Sequence, residues 1–153
     1  MHVRSVLAER GREVRTIPSD SRAEDALVLR GVGKPLPFMV VEGNVPVGIL
    51  AESHLLDYCL RCGGDPGSGS KIPVPVKDMM STRLIIAAPG DEIASLFSAM
   101  LQRGVEVLAV VEEGRILGML FMTDLMRYQI ESLTAEIENL REYLKSLLEA
   151  MTD

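Results

Sequence analysis

The sequence predicts an α/β (α+β) fold made of two tandem copies of one β-α-β-β-α unit, followed by a long amphipathic helix. Three observations carry this expectation. The two halves align on one pattern of strands, turns and helix; two Gly-containing turns, Glu42-Gly43-Asn44 and Glu112-Glu113-Gly114, fall at matching places; and the C-terminal apolar residues recur at alternating spacings of three and four. A unit of this size is marginal as an independent core, so two copies are expected to pack on each other through their sheets.

In chain order, Val3-Arg4-Ser5-Val6-Leu7 answers Val76-Lys77-Asp78-Met79-Met80. An extended segment closed by proline follows each, Val14–Pro18 in the first half and Leu84–Pro89 in the second. Ser19-Asp20-Ser21 and Gly90-Asp91 then offer N-cap chemistry for a helix. The second of these helices is the clearer: Ile93, Leu96, Phe97, Met100 and Leu101 share one face, and Gly104 stops it. The first carries Ala26, Leu27 and Leu29 before Gly31 and Gly33. Each helix is followed by a hairpin, Phe38–Val41 turning into Val45–Leu50 and Val107–Val111 turning into Arg115–Leu120. The Gly/Ser-rich run from Gly63 to Ser70 reads as a flexible linker. The expected organisation is therefore a first repeat over 1–62, a linker over 63–75, a second repeat over 76–128 and a terminal helix over 129–153.

Composition narrows the function. With only three Phe and three Tyr, no Trp and a net charge of −6, the chain lacks both the stacking platforms and the basic clusters of a nucleic-acid binder. Charges interrupt the apolar residues near the N-terminus, and nowhere do eighteen apolar residues run together, so a cytoplasmic protein without membrane association is expected. Cys59 and Cys62 form a Cys-x-x-Cys near the end of a helix that stops at Gly63-Gly64. The helix dipole there opposes a thiolate, so structural cysteines are expected rather than a redox or metal site. No nucleophile and base stand at recognisable spacing, and the Gly-rich run lacks the Lys and Ser/Thr of a phosphate loop. Catalysis is not expected, and no cofactor is required.

The opening Val-Lys-Asp-Met-Met, the strand closed by proline, the amphipathic helix, the stretch Val-Leu-Ala-Val-Val-Glu-Glu-Gly-Arg-Ile-Leu-Gly-Met-Leu and Asp124-Leu125-Met126 together resemble the cystathionine-β-synthase (CBS) domain family. Because the ordered set occurs twice, the chain resembles a tandem CBS pair, or Bateman module. The resemblance implies two repeats related by a pseudo-twofold axis, with clefts between them that in the family commonly hold adenosyl ligands such as AMP, ATP or S-adenosylmethionine. The family often follows the last strand with Ser or Thr, two residues, then Asp. The second repeat has Phe121-Met122-Thr123-Asp124, which keeps the acid and loses the hydroxyl; the first has Ala51-Glu52-Ser53-His54, which lacks both. At most one conventional ligand site is expected, around Asp124 with Phe121, Thr123, Ile86, Pro89 and Val107. A degenerate counterpart would involve Thr16, Ala51 and His54.

Each of these residues also has a purely structural reading. Asp124 suits the first turn of a helix by charge alone, Thr123 and Ser53 can cap their helices, His54 can be an ordinary helix residue, and Phe121 can be core or cleft wall. Lys71, Lys77 and Arg83 can assist a phosphate or simply be solvated.

The terminal seam comprises Ile130, Leu133, Ile137, Leu140, Leu144, Leu147 and Met151. This is a heptad pattern, and it must be covered by something. A homodimer through this helix is the expected partner arrangement, against packing on the same chain or on a foreign protein. If Ile130 is an a position, Glu136 is g and Arg141 the following e, the register a parallel dimer would pair. Tyr143 and Leu148 widen the stripe near its end and favour a bundle or domain contact there. The leading expectation is a regulatory module that senses an adenosyl-type ligand (AMP, ADP, ATP, S-adenosylmethionine or NAD) and signals to an unknown regulated protein. The alternative is a ligand-free dimerisation scaffold.

Overall fold

The computed structural model describes residues 2–11, 13–31, 33, 37–61 and 74–152. Most of the expected linker, and with it Lys71 and Cys62, lies outside the described residues. Helix α1 (Val3–Arg10) is followed by β1 (Thr16–Pro18), α2 (Ala23–Gly31), β2 (Phe38–Glu42), β3 (Val45–Leu50) and α3 (Glu52–Arg61). The second half contains a short 3₁₀ turn (Val76–Asp78), β4 (Leu84–Ala87), α4 (Ile93–Arg103), β5 (Val107–Glu112), β6 (Arg115–Phe121) and α5 (Met122–Met151). The mixed α/β fold with a long C-terminal helix is as the sequence predicts.

Each half contributes a three-stranded sheet of order β1-β2-β3 or β4-β5-β6, in which the first pair is parallel and the second antiparallel. The parallel pair spans a helix crossover, and the antiparallel pair is a hairpin. Both hairpins carry a register irregularity at the same place, Val40/Val41 and Val110/Val111. The second turns at Glu113 and Gly114, both with positive φ (49° and 74°), the backbone of a type I′ turn. Helix α4 ends as predicted: Gly104 is left-handed, and the Val105 N–H donates to Met100 O at 3.0 Å.

Both faces of each sheet are buried, which explains why β2 and β5 read as continuous apolar runs rather than alternating ones. On one face Phe38, Val40 and Leu50, with Ile17 of β1, pack against Ala26 and Leu55 of the helical layer. Leu108, Val110 and Leu120 do the same with Ile93, Met100 and Leu125. On the other face Met39, Val41 and Ile49 meet Val107, Ala109 and Met119, so the two sheets form one shared core.

The leading segments are exchanged between the halves. Val3 and Val6 are fully buried in the core of the second half, whereas Val76 is fully buried in the first. The backbone fixes this exchange at both ends. Val3 and Arg4 donate to Asp91 O and Pro89 O, each at 2.9 Å, while Val76 and Lys77 donate to Ser21 O and Ser19 O at 2.7 and 3.1 Å.

Some local expectations change. Strand β1 is three residues long rather than beginning at Val14, and β4 stops before Ala88 and Pro89, whose carbonyls accept from Asp91 and Arg4 in a turn. At the start of α2, Asp25 Oδ2 accepts the Arg22 N–H at 3.0 Å, the half of a capping box supplied from within the helix. Asp91 turns back to accept the Ala88 N–H at 2.9 Å. Helix α5 begins directly after β6 and runs without a break through 128/129.

Candidate functional site: the cleft between the repeats

The C-terminal ends of β3 and β6 deliver α3 and α5 to opposite sides of one cleft of about 700 Å³. Ala51, Glu52, Ser53 and His54 line one wall, and Phe121, Met122 and Thr123 line the other. The remaining boundary includes Pro37, Ile49, Ser81, Arg83, Gly104, Glu106 and Val107. Ala51 and His54, expected in one site, therefore share one space with Phe121, Thr123 and Val107, expected in another.

The chain builds the two walls by one device. Asp124 Oδ2 accepts the Phe121 N–H at 2.8 Å, and His54 Nδ1 accepts the Ala51 N–H at 2.9 Å. In each case a side chain in the first helical turn reaches back to the amide of the residue before the helix, half of a capping box. Asp124 is 3% exposed and is not a lining residue; its carboxylate lies behind the wall rather than in it. Thr123 and Ser53 do not supply these bonds and instead face the cleft. His54 is thus the positional and hydrogen-bonding counterpart of Asp124. It needs an unprotonated Nδ1 to accept this bond.

Other contacts fix the floor. Ile49 and Ser81 exchange backbone hydrogen bonds at 2.8 and 2.9 Å, which brings Arg83 to the cleft from the segment before β4. The Met122 N–H donates to Glu106 O at 2.8 Å and ties the start of α5 to the approach to β5. Phe121 and Val107 are register partners across β5 and β6, so their side chains share one sheet face at the rim.

Among the remaining expected residues, Ile86 is about half exposed and lies outside this cleft. Pro89 is buried, with its carbonyl engaged by Arg4. Thr16 lines a smaller cleft of about 330 Å³ beside the hairpin turns, with Asn44 and Arg115. Sequence reasoning missed Glu52, Ser81, Glu106 and Met122 as lining residues. Glu52, Glu106 and Met122 stand at or next to the start of an element, and Ser81 is held at the cleft by its backbone pair with Ile49. Arg83, considered as a phosphate aid, is at the cleft; Lys77 is exposed and is not among the lining residues. Cys59 is a partly buried free thiol, and no cluster of three metal-ligating side chains occurs among the described residues. No described helix is long and apolar enough to cross a membrane.

Comparison with known proteins places this architecture. Residues 76–131 match the CBS domain family model. No curated protein matches the chain significantly in sequence. Solved structures match across most of its length. A CBS-domain protein from Burkholderia ambifaria, assigned to signal transduction, has 19% identity and a TM-score of 0.63, covering 86% of this chain and 95% of its own. A CBS-domain protein from Agrobacterium tumefaciens has 22% identity and a TM-score of 0.58, covering 84% and 99%. A CBS domain pair solved in complex with 5′-methylthioadenosine and S-adenosyl-L-methionine has 15% identity and a TM-score of 0.61, covering 86% and 98%. The family match thus covers the second half, and the fold across both halves is that of the solved CBS domain pairs.

Proposed function

We propose that the chain is a non-catalytic regulatory module that binds an adenosyl-type ligand in the cleft between its repeats. The module signals through the helix that leaves the cleft, α5, which also joins two copies. The observation that carries this reading is the cleft itself: about 700 Å³, within the range of small-molecule sites, and walled by the starts of two equivalent helices. A CBS pair of the same fold binds S-adenosylmethionine and methylthioadenosine. Because α5 runs from Met122 at the cleft to Met151 without interruption, a change in cleft width would alter the direction of the whole helix.

Charge narrows the ligand. Two helix N-termini and Arg83 favour an anion, whereas Glu52 and Glu106 oppose one. That balance supports a neutral, cationic or singly phosphorylated adenosyl compound over a triphosphate. Calorimetry and thermal-shift measurements with AMP, ADP, ATP, NAD, methylthioadenosine and S-adenosylmethionine test it. Binding of at least one compound, abolished by Ala51→Trp, is the expected result.

A ligand-free scaffold is the second reading, favoured by one observation. Asp124, the acid expected to hold a ribose, is buried and bonds to its own helix start. Silence across the ligand panel from folded protein would select that reading.

A further inference from the structure

We propose that Ile130–Met151 forms a parallel, in-register, two-stranded coiled coil with a second copy of this chain, setting the two ligand clefts side by side at its N-terminal end. The proposal rests on the reading of α5 as the self-association helix and adds its strand number, direction and register.

The seam has no cover within the described chain. From Ile130 onward every described residue of α5 is exposed, and its seam side chains are 42–79% exposed. Packing of α5 on its own molecule is confined to the first part of the helix. Leu125 enters the core there, Met122 and Tyr128 pack beside it, and Arg10 of α1 forms an ion pair with Glu131. Beyond that point about 30 Å of amphipathic helix projects from the domain. Among the described residues, the equivalent helix of the first half, α3, covers only Glu52–Arg61.

The identity of the seam residues specifies the assembly. With Ile130 at a, the a positions are Ile130, Ile137, Leu144 and Met151, and the d positions are all leucine. Isoleucine at a with leucine at d favours two parallel strands over three or four. The flanking positions agree. In a parallel register each g residue meets the e residue five positions later on the partner helix. That pairs Gln129 with Thr134, Glu136 with Arg141 and Tyr143 with Leu148: polar with polar, acid with base, and aromatic with aliphatic. An antiparallel pair opposes g with g and e with e, so Glu136 and Arg141 could not meet. Tyr143 and Leu148, which taken alone suggest a wider bundle, become one matched pair. The remaining outward positions, including Glu138, Asn139, Glu142, Lys145 and Glu149, are polar, leaving no second apolar face for further helices.

The test uses the full chain with Cys59 and Cys62 replaced by serine. Light scattering should give a dimer, which Leu140→Asp converts to monomer. In a parallel in-register pair, Leu133→Cys places two thiols in one layer, and mild oxidation should yield a covalent dimer. With antiparallel helices fully overlapped over Ile130–Met151, those residues lie about 22 Å apart along the axis, beyond disulfide reach. Glu136→Arg should weaken association about five- to tenfold, and adding Arg141→Glu should restore it. A monomer at all concentrations would overturn both self-association and the proposal. A trimer, a tetramer, or a dimer in which Leu133→Cys does not cross-link would overturn the proposal alone. Ligand binding, measured separately, stands or falls independently of these outcomes.

Discussion

Leu7 of α1 packs against the backbone of Gly118 in β6 so closely that a β-carbon at 118 would lie 2.6 Å from Leu7 Cδ1. The equivalent glycine, Gly48 in β3, faces the segment that answers α1: a β-carbon there would lie 2.8 Å from the Ser81 carbonyl oxygen and would also strike Met80. Both glycines are therefore places where the exchanged segment of one half reaches the sheet of the other.

The two contacts differ in what can yield. At Gly118 the obstacle is the end of a flexible side chain, so Gly118→Ala should cost about 1 kcal/mol, and combining it with Leu7→Ala should show positive coupling. At Gly48 backbone is in the way, and Gly48→Ala should cost about 2–3 kcal/mol. Urea unfolding of the four variants measures both effects. Equal losses at the two glycines would contradict this account of the contacts.

The exchange also predicts which sheet feels each leading segment. Val6→Ala should remove methyl groups from the second core and cost about 1–2 kcal/mol, and Val76→Ala should do the same in the first. Native-state hydrogen exchange should show Val6→Ala accelerating amides of β4–β6 ahead of those of β1–β3, with the reverse for Val76→Ala. Acceleration in the half where the substitution sits in sequence would be inconsistent with exchanged segments.

Asp124 and His54 each close the first turn of a cleft-wall helix. Asp124→Ala should cost about 1–2 kcal/mol, because a partly buried amide loses its carboxylate acceptor, while Asp124→Asn should retain part of that stabilisation. His54→Ala should cost about 0.5–1 kcal/mol, since the cap at Ala51 is neutral and more open to water. Chemical denaturation ranks these variants. An Asp124→Ala protein as stable as wild type would remove the capping role.

Arg83 is the arginine lining the cleft. If a monophosphate is bound there, Arg83→Ala should weaken AMP about tenfold and leave methylthioadenosine nearly unchanged, because only the former presents an anion to the guanidinium. Parallel titrations of the two compounds decide this, and equal losses would assign Arg83 a structural role.

The single ion pair between Arg10 and Glu131 should matter little. Glu131 is largely exposed, so Glu131→Gln should change stability by less than about 0.5 kcal/mol at physiological salt. Thermal unfolding at low and high salt checks this.

The sequence by itself determined the repeat, the hairpins, the stop of α4 at Gly104 and the heptad seam, because each depends on local spacing: a left-handed glycine, a two-residue turn, or a recurring apolar position. Tertiary structure decided the rest. Val3 and Val76 look like the opening residues of their own repeats, yet each is buried in the other, since partner choice depends on which sheet offers space at Gly118 or Gly48. The cleft was legible at Phe121, Thr123, Val107, Ala51 and His54, which follow from the strand ends, but not at Glu52, Ser81 or Glu106. Asp124 shows why residue type alone is insufficient. An acid in the first turn of a helix can face a ligand or its own backbone, and here Asp124 is buried with its carboxylate on the Phe121 amide.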